Sequence, residues 1–481
     1  MRRYITGEDR NQLELQPMCL DELIPENCEV RALDAIVENM GIPTMGFIHA
    51  ETKETGRKPY DPVDLFKLYV YSYFNGIRSS RKIERECHRN MEVMWLVNGL
   101  RPDFKTIADF RKDNKKAIKQ AFRKFSMICD ELGLVGKEMV AIDGSKFRAS
   151  NSRLAYHSEK KIQKKIEHYN KLAEQYLTLL DSCDHQEKDE QAAPLDKTEI
   201  QSKINSINRR LTELDGFKEH VQEHGTVYST DPDARMMQMN NKGCDICHNV
   251  QIAVDEKAHI VVAVDVTSEP VDKEQLHSMS LQAKEELAVD TITVIADKGY
   301  YSALQFAKCK DDNIIPIVSK ADHSHMAATR GYGKQHFTYD EAADGYICPE
   351  GHLLRPYQPK KENPKYKGIR RYRNYEACAH CKSRDKCSLG AEGRTIQDRE
   401  FQRIADEVDR RREAHPEMYQ QRKQMAEHPF GTVKRSWGYS YFLTRRTASV
   451  RVESLLHFLT YNMKRAIHIV GVREFVLRMQ E

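Results

Sequence analysis

EMVAIDGSKFRA, residues 138–149, is the stretch whose reading decides the fold. An apolar, β-branched run through Ile142 leads directly to Asp143 and Gly144, so it reads as a buried strand that delivers a carboxylate at its exit. The pattern returns in TITVIADKGYYS, residues 291–302, where the apolar run ends in Asp297 followed by Lys298 and Gly299. Between the two, NVQIAVD (249–255) and HIVVAVDVTSEP (259–270) read as adjacent strands. A helix is expected around 273–287, another over 303–312, and a further strand at IIPIVSK, 314–320. Two adjacent strands, a helical crossover and another strand ending in Asp predict an α/β fold with a mixed sheet covered by helices.

Outward from this core, residues 1–135 read as a helical N-terminal domain. Pro62, Leu65, Leu68 and Tyr69 open one helix, and SSRKIERECHRN (79–90) opens another with Ser79 or Ser80 as N-cap. The core itself is split into 136–152 and 226–321. The interruption, 153–225, places Ile162, Ile166, Tyr169, Ala173, Tyr176 and Leu180, then Ile200, Ile204, Ile207, Leu211 and Leu214, at alternating spacings of four and three. That is the seam of a short coiled coil, so an antiparallel helical hairpin joined by DSCDHQEKDEQAAPLDKT (181–198) is expected, acting as a structural arm. Residues 322–398 are rich in Cys, Gly, Pro and Tyr and read as irregular. Residues 399–481 return to helices: 399–427 is highly charged, and Val450, Val452, Leu455, Leu456, Leu459 and Tyr461 mark a final helix.

The chain has 481 residues, 40% of them hydrophobic, which is ample for packed cores in about three domains. Its net charge of +4 conceals an uneven distribution. Residues 1–50 carry 4 basic and 9 acidic side chains, net −5; residues 57–124 carry 17 and 8, net +9; residues 422–478 carry 11 and 3, net +8. Basic blocks of this kind suit a polyanion, although solvated helix faces look the same. No apolar run is long enough for a bilayer and the start, MRRYITGEDRNQLELQ, lacks a signal-like stretch, so no membrane role and a cytoplasmic, nucleoid-associated location are expected.

The third acid of interest is Glu427 in MAEHPFGTVK, residues 425–434. Three carboxylates from two strand ends and a later helix can hold a pair of hard divalent cations, because Mg²⁺ takes oxygen ligands and keeps positions open for water and phosphate. A lone Asp at a strand end would read as a turn or cap; three in this order do not. Together with KPYDPVDLFKL (58–68), GIRSSRKIE (76–84) and PDFKTIADFRK (102–112), this ordered set resembles the DDE transposases of bacterial insertion sequences.

The resemblance implies an RNase H-like catalytic fold and an InsH-type N-terminal DNA-binding domain. It also implies Asp143, Asp297 and Glu427 as ligands of two Mg²⁺ ions, with Mn²⁺ able to substitute. The implied reaction is cleavage of element ends and strand transfer by in-line displacement at phosphorus, without a covalent protein intermediate. Double-stranded DNA, as terminal inverted repeats and target, and a homodimer that brings two ends together are the implied partners. Related families place a Tyr and an Arg before the Glu and a Lys seven residues after it; here these are Tyr419, Arg422 and Lys434, with Arg422 one position further from the Glu than in the best-known version. Lys434, Arg435 and Lys298 would contact DNA phosphates, with an ordinary exposed basic residue as the alternative for the last two. Trp437 could stack on a flipped base, although a buried aromatic is the commoner role. Asp231 and Asp233 in TDPDAR read first as turn formers. Pro429 and Gly431 predict either a kink at this site or a new helix starting at Pro429.

Twelve cysteines in a chain with no export signal are expected reduced or metal-bound. Cys348 in CPEGH and Cys378, Cys381 and Cys387 in CAHCKSRDKC can supply four thiolates to a structural Zn²⁺, with His352 or His380 able to replace one, in a segment that lacks a core of its own. Cys244 and Cys247 read as a turn leading into a strand. An RNase H-like nuclease without strand transfer, and a catalytically silent DNA-binding regulator, are the competing functions.

Overall fold

The computed structural model describes residues 19–50, 58–152, 156–186, 197–239, 243–320, 331–358, 369–388, 390, 392–398 and 400–480. The start of the chain and most of the 181–198 link lie outside these residues.

Six helices precede the sheet: α1 (Glu29–Asn39), α2 (Pro62–Phe74), α3 (Ser80–Glu86), α4 (Met91–Leu96), α5 (Phe104–Asp113) and α6 (Lys115–Glu131). The quoted motifs form their starts. Asp61 accepts the Val63 N–H with Pro62 in the first turn, and Asp103 accepts the amides of Lys105 and Thr106, so each motif supplies an orphan helix donor with a partner. Ser79 occupies the N-cap position of α3, but its side chain makes no capping bond.

The main sheet is built from β1 (Met139–Arg148), β4 (Arg235–Met239), β5 (Gly243–Asp255), β6 (Val261–Thr267), β7 (Ile292–Ala296) and β8 (Ile314–Val318), after the short pair β2 (Tyr156–Ser158) and β3 (Thr226–Tyr228). Its order is β4-β5-β1-β7-β8, with β6 also on β5. β1 is antiparallel to β5 and parallel to β7, and β7 is parallel to β8. Every position of β5 from Ile246 to Asp255 is buried, as a strand with both faces covered requires.

Asp143 is not at the end of its strand. β1 runs on to Arg148 because β5 keeps pairing with it, Asp143 opposite Ile252 and Arg148 opposite Cys247, whereas the parallel partner β7 stops at Ala296. The carboxylate therefore sits where one neighbour departs and the other continues.

Hairpin helices α7 (Glu159–Gln186) and α8 (Lys197–His224) pack as the spacing predicts: Ile162 against Leu214 and Val221, and Tyr176 and Leu180 against Ile200 and Ile204. β2 and β3 close the base of the arm, with Tyr156 opposite Tyr228. Helices α9 (Leu276–Leu287) and α10 (Ala303–Asp311) follow the expected positions.

The described residues of 338–398 are not irregular. They form an antiparallel sheet, β9 (Thr338–Asp340), β10 (Gly345–Ile347), β11 (Leu353–Tyr357), β12 (Arg370–Arg373) and β13 (Ile396–Asp398), with short helices α11 (Tyr375–Ala379) and α12 (Arg384–Cys387). This region has its own small core of Phe337, Tyr346, Leu354, Tyr372 and Ile396, contrary to expectation. Strands of three to five residues are too short to show a period, and mixed Tyr and Arg content hides them. The basic stretch 360–373 lies mostly outside the described residues.

The chain ends in α13 (Gln402–Ala414), α14 (Pro416–Phe430), α15 (Thr447–Val470) and α16 (Val472–Gln480). α15 is thus not the last helix. It packs on β6, α6 and α2, and one continuous core joins the N-terminal helices, the sheet and α15. Asn462 of α15 accepts the Val261 N–H at 2.8 Å and donates to the Val261 carbonyl at 2.7 Å, satisfying the outer edge of β6. Arg78, stacked between Tyr439 and Tyr441, donates to the Tyr441 carbonyl and to buried Glu453.

Candidate active site

Ile142 stands directly opposite Ala296 in the β1–β7 ladder. Asp143, inside β1, and Asp297, just past the end of β7, therefore stand at the same level of two adjacent parallel strands. Asp143 accepts the Gly144 N–H at 3.0 Å, and Asp297 caps the 3₁₀ turn 298–300 by accepting the Lys298 N–H.

Burial pushes the Asp143 carboxyl up to about 6; the Arg422 guanidinium and the Gly144 N–H oppose that, and the Asp272 and Asp297 carboxylates add to it. Charges on three other segments, Arg422, Asp272 and Asp297, thus act on the Asp143 carboxyl. Asp272, in the turn before α9, is the member that sequence reading missed: an Asp just ahead of a helix looks like a capping residue.

The Arg422 charge acts on Asp143 from α14, which packs against β1, β5 and β7. Its Nε is buried with no hydrogen-bond partner, and its guanidinium lies 5.7 Å from the Tyr419 ring centre, with Arg412 at 5.3 Å from the same ring. Glu427 is exposed and is not among the strongest influences on Asp143. Five residues on from Arg422, it is turned by about 140° around a regular helix.

No new helix starts at Pro429. α14 continues through Pro429 to Phe430, and the chain then widens into a π-helical turn over 431–436, with the Trp437 N–H bonding the Thr432 carbonyl at 2.9 Å. Proline removes one i→i−4 donor, and a π turn absorbs the mismatch. The turn aims Lys434 back at β1, where its Nζ donates to Ser145 Oγ at 2.9 Å and to the Lys146 carbonyl at 2.7 Å. Arg435 and Lys298 are exposed; Trp437 is half-buried beside Tyr439.

Asp231 and Asp233 are anchors. Asp231 pairs with His248 at 2.8 Å and accepts the Arg446 N–H, while Asp233 accepts the Thr447 N–H at the start of α15. Cys244 and Cys247 lie within β5 itself.

In the 338–398 region, Cys348, Cys378, Cys381 and Cys387 all line one small cavity, with His352 beside them; His380 does not line it. Burial raises the Cys387 thiol, the Arg394 charge lowers it, and the other three cysteines raise it further. The Cys348 Sγ accepts the His352 N–H at 3.3 Å.

Among the described residues, no set of three or more His, Cys, Asp or Glu is already gathered to hold a metal ion. By donor chemistry the carboxylate cleft fits a hard cation and the four-thiol cavity a softer one. No helix among the described residues is long and apolar enough to cross a membrane.

A family described as a transposase domain (DUF772) matches residues 18–113, the helical N-terminal region. A second, described as a transposase DDE domain, matches residues 347–467, which include the cysteine cavity, α14 with Glu427 and most of α15. No curated protein and no solved structure matches the chain. Two transposase families matched in succession along one chain support its assignment to the insertion-sequence DDE transposases.

Proposed function

We propose that the chain cuts the ends of its element and joins them to target DNA by in-line phosphoryl transfer in the cleft of Asp143 and Asp297. The observation that carries this reading is the register of Ile142 opposite Ala296, which sets Asp143, inside β1, and Asp297, just past β7, at the same level of two adjacent parallel strands. The sheet order, three antiparallel strands followed by two parallel ones, supports an RNase H-like core over 136–152 and 226–321, with Glu427 supplied by the 399–481 segment.

In this reading Asp143, Asp297 and Glu427 hold two Mg²⁺ ions, or Mn²⁺ in their place, which when bound stabilise the attacking and leaving oxygens. Arg422 holds the cleft acids and the DNA phosphate in register, Tyr419 orients Arg422, and Lys298, Lys434 and Arg435 bind the phosphate backbone. The helical region 1–135 binds the terminal inverted repeats, the arm 153–225 is structural, and 322–398 carries a Zn²⁺ on Cys348, Cys378, Cys381 and Cys387. Two protomers pair the ends.

The test is incubation of the full chain with element ends and Mg²⁺ or Mn²⁺, beside Asp143→Asn and Glu427→Gln. Cutting and joining by wild type alone is expected. Equal binding with no cutting by any of the three would sink the enzymatic reading, and cutting without a stable paired-end complex would leave a nuclease.

A further inference from the structure

We propose that Asp272 is a fourth acidic residue of this cleft and a direct ligand of its divalent cation, with Asn249 and Gln251 as the residues that position it. The inference rests on the reading of the cleft as a phosphoryl-transfer site.

Asn249 and Gln251 are buried two residues apart on β5, so both side chains project from the same face of the sheet. The Asn249 Nδ2 and the Gln251 Nε2 each donate to Asp272 Oδ1 at 2.7 Å. Gln251 is itself oriented, its Oε1 accepting the hydroxyl of fully buried Tyr300. One oxygen of Asp272 is thus clamped by two amides. The other, Oδ2, has no hydrogen-bond partner among the described residues.

Space at two glycines shows where this carboxylate lies. A Cβ on Gly144, next to Asp143, would fall 2.7 Å from Asp272 Oδ1 and 2.3 Å from Gln251 Nε2; one on Gly299, two residues past Asp297, would fall 3.8 Å from Oδ2. Gly144 has ordinary extended backbone, so it is required for room and not for its torsion angles. Asp272 therefore lies against the backbone beside both Asp143 and Asp297.

The choice of clamp is informative. Neutral amides fix a carboxylate without neutralising it, whereas a residue that served only to hold the turn would gain more from a Lys or Arg partner. No Lys or Arg among the described residues forms an ion pair with Asp272. A fixed anion with no ion-pair partner of its own among the described residues, beside two others, is the arrangement that a divalent cation relieves.

The test is Mn²⁺ titration of the full-length, DNA-free protein by calorimetry, for wild type, Asp272→Asn and Asp143→Asn. Asp272→Asn is expected to weaken Mn²⁺ binding roughly tenfold or more. An affinity within about twofold of wild type, while Asp143→Asn loses binding, overturns the role of Asp272 and leaves the cleft intact. Unchanged binding by Asp143→Asn, or none by wild type, overturns the reading of the cleft and this inference with it. Should circular dichroism show Asp272→Asn unfolded, Asp272→Cys decides: a shift of preference from Mg²⁺ towards Cd²⁺ is expected of a ligand, and an unshifted preference overturns the proposal.

Discussion

Lys434 Nζ lies 2.9 Å from Ser145 Oγ, so the π turn after Pro429 is fastened to β1 two residues beyond Asp143. Because Lys434 also bonds the Lys146 carbonyl, Lys434→Ala strips a donor from two acceptors near the cleft. A loss of about 1–2 kcal/mol is expected, read as a lowered denaturation midpoint. Exposed Arg435 gives the contrast: Arg435→Ala should leave stability unchanged, weaken binding to DNA of any sequence, and reduce the salt slope by about 1.

The Asp143 carboxyl, raised to about 6 in the folded chain against 3.8 as the reference value, makes a definite pH prediction. A raised acid is protonated in the fold where it is already ionised in the unfolded chain, so its penalty is absent below pH ~4, grows between ~4 and 6, and is complete above. The shift corresponds to about 3 kcal/mol. Asp143→Asn should therefore melt higher than wild type at pH 7.5 in EDTA, with the difference vanishing near pH 4. Divalent-cation affinity of wild type should rise as the pH passes through 6.

Gly144→Ala forces a methyl into the space held by Gln251 and Asp272. Overpacking of this kind costs about 1–3 kcal/mol. DNA cleavage should fall more than stability does, measured as turnover against the melting temperature, because the clamp on Asp272 is displaced.

Glu453 is fully buried and accepts the amides of Leu443 and Thr444, the Thr444 hydroxyl and the Arg78 guanidinium. Removing it leaves Arg78 buried without its charge partner. Glu453→Ala is expected to lose about 3–5 kcal/mol in denaturant titration.

If the four-cysteine cavity holds Zn²⁺, elemental analysis of the purified chain should give one zinc per protomer. Cys381→Ser should lower that content and the melting temperature together, and a metal-free wild type of unchanged stability would remove zinc from the account.

The sheet and the arm could be read from sequence because both carry long periodic signals: ten buried positions in a row on β5, and eleven coiled-coil positions on α7 and α8. Three kinds of feature could not. The continuation of β1 past Asp143 depends on which neighbour stops first, a property of pairing. The strands of 338–398 are too short to show a period. Asp272 carries no local mark, since its significance comes from Asn249 and Gln251, more than twenty residues away. Asp297 was legible as a strand-end acid and Asp143 as an acid on a buried strand, though not at its end, whereas the orientation of Glu427 depends on how α14 passes Pro429.

The bond pair between Asn462 and Val261 spans 201 residues of chain. It makes the edge of β6 wait for a segment synthesised 201 residues later. Until α15 emerges from the ribosome, Val261 lacks its Asn462 partners and Arg78 lacks Glu453, so the helices of the first 135 residues and the sheet lack the helix that packs on both α2 and β6. Closure of this core thus waits on α15, and a premature stop before residue 447 should yield chains that are degraded or aggregate.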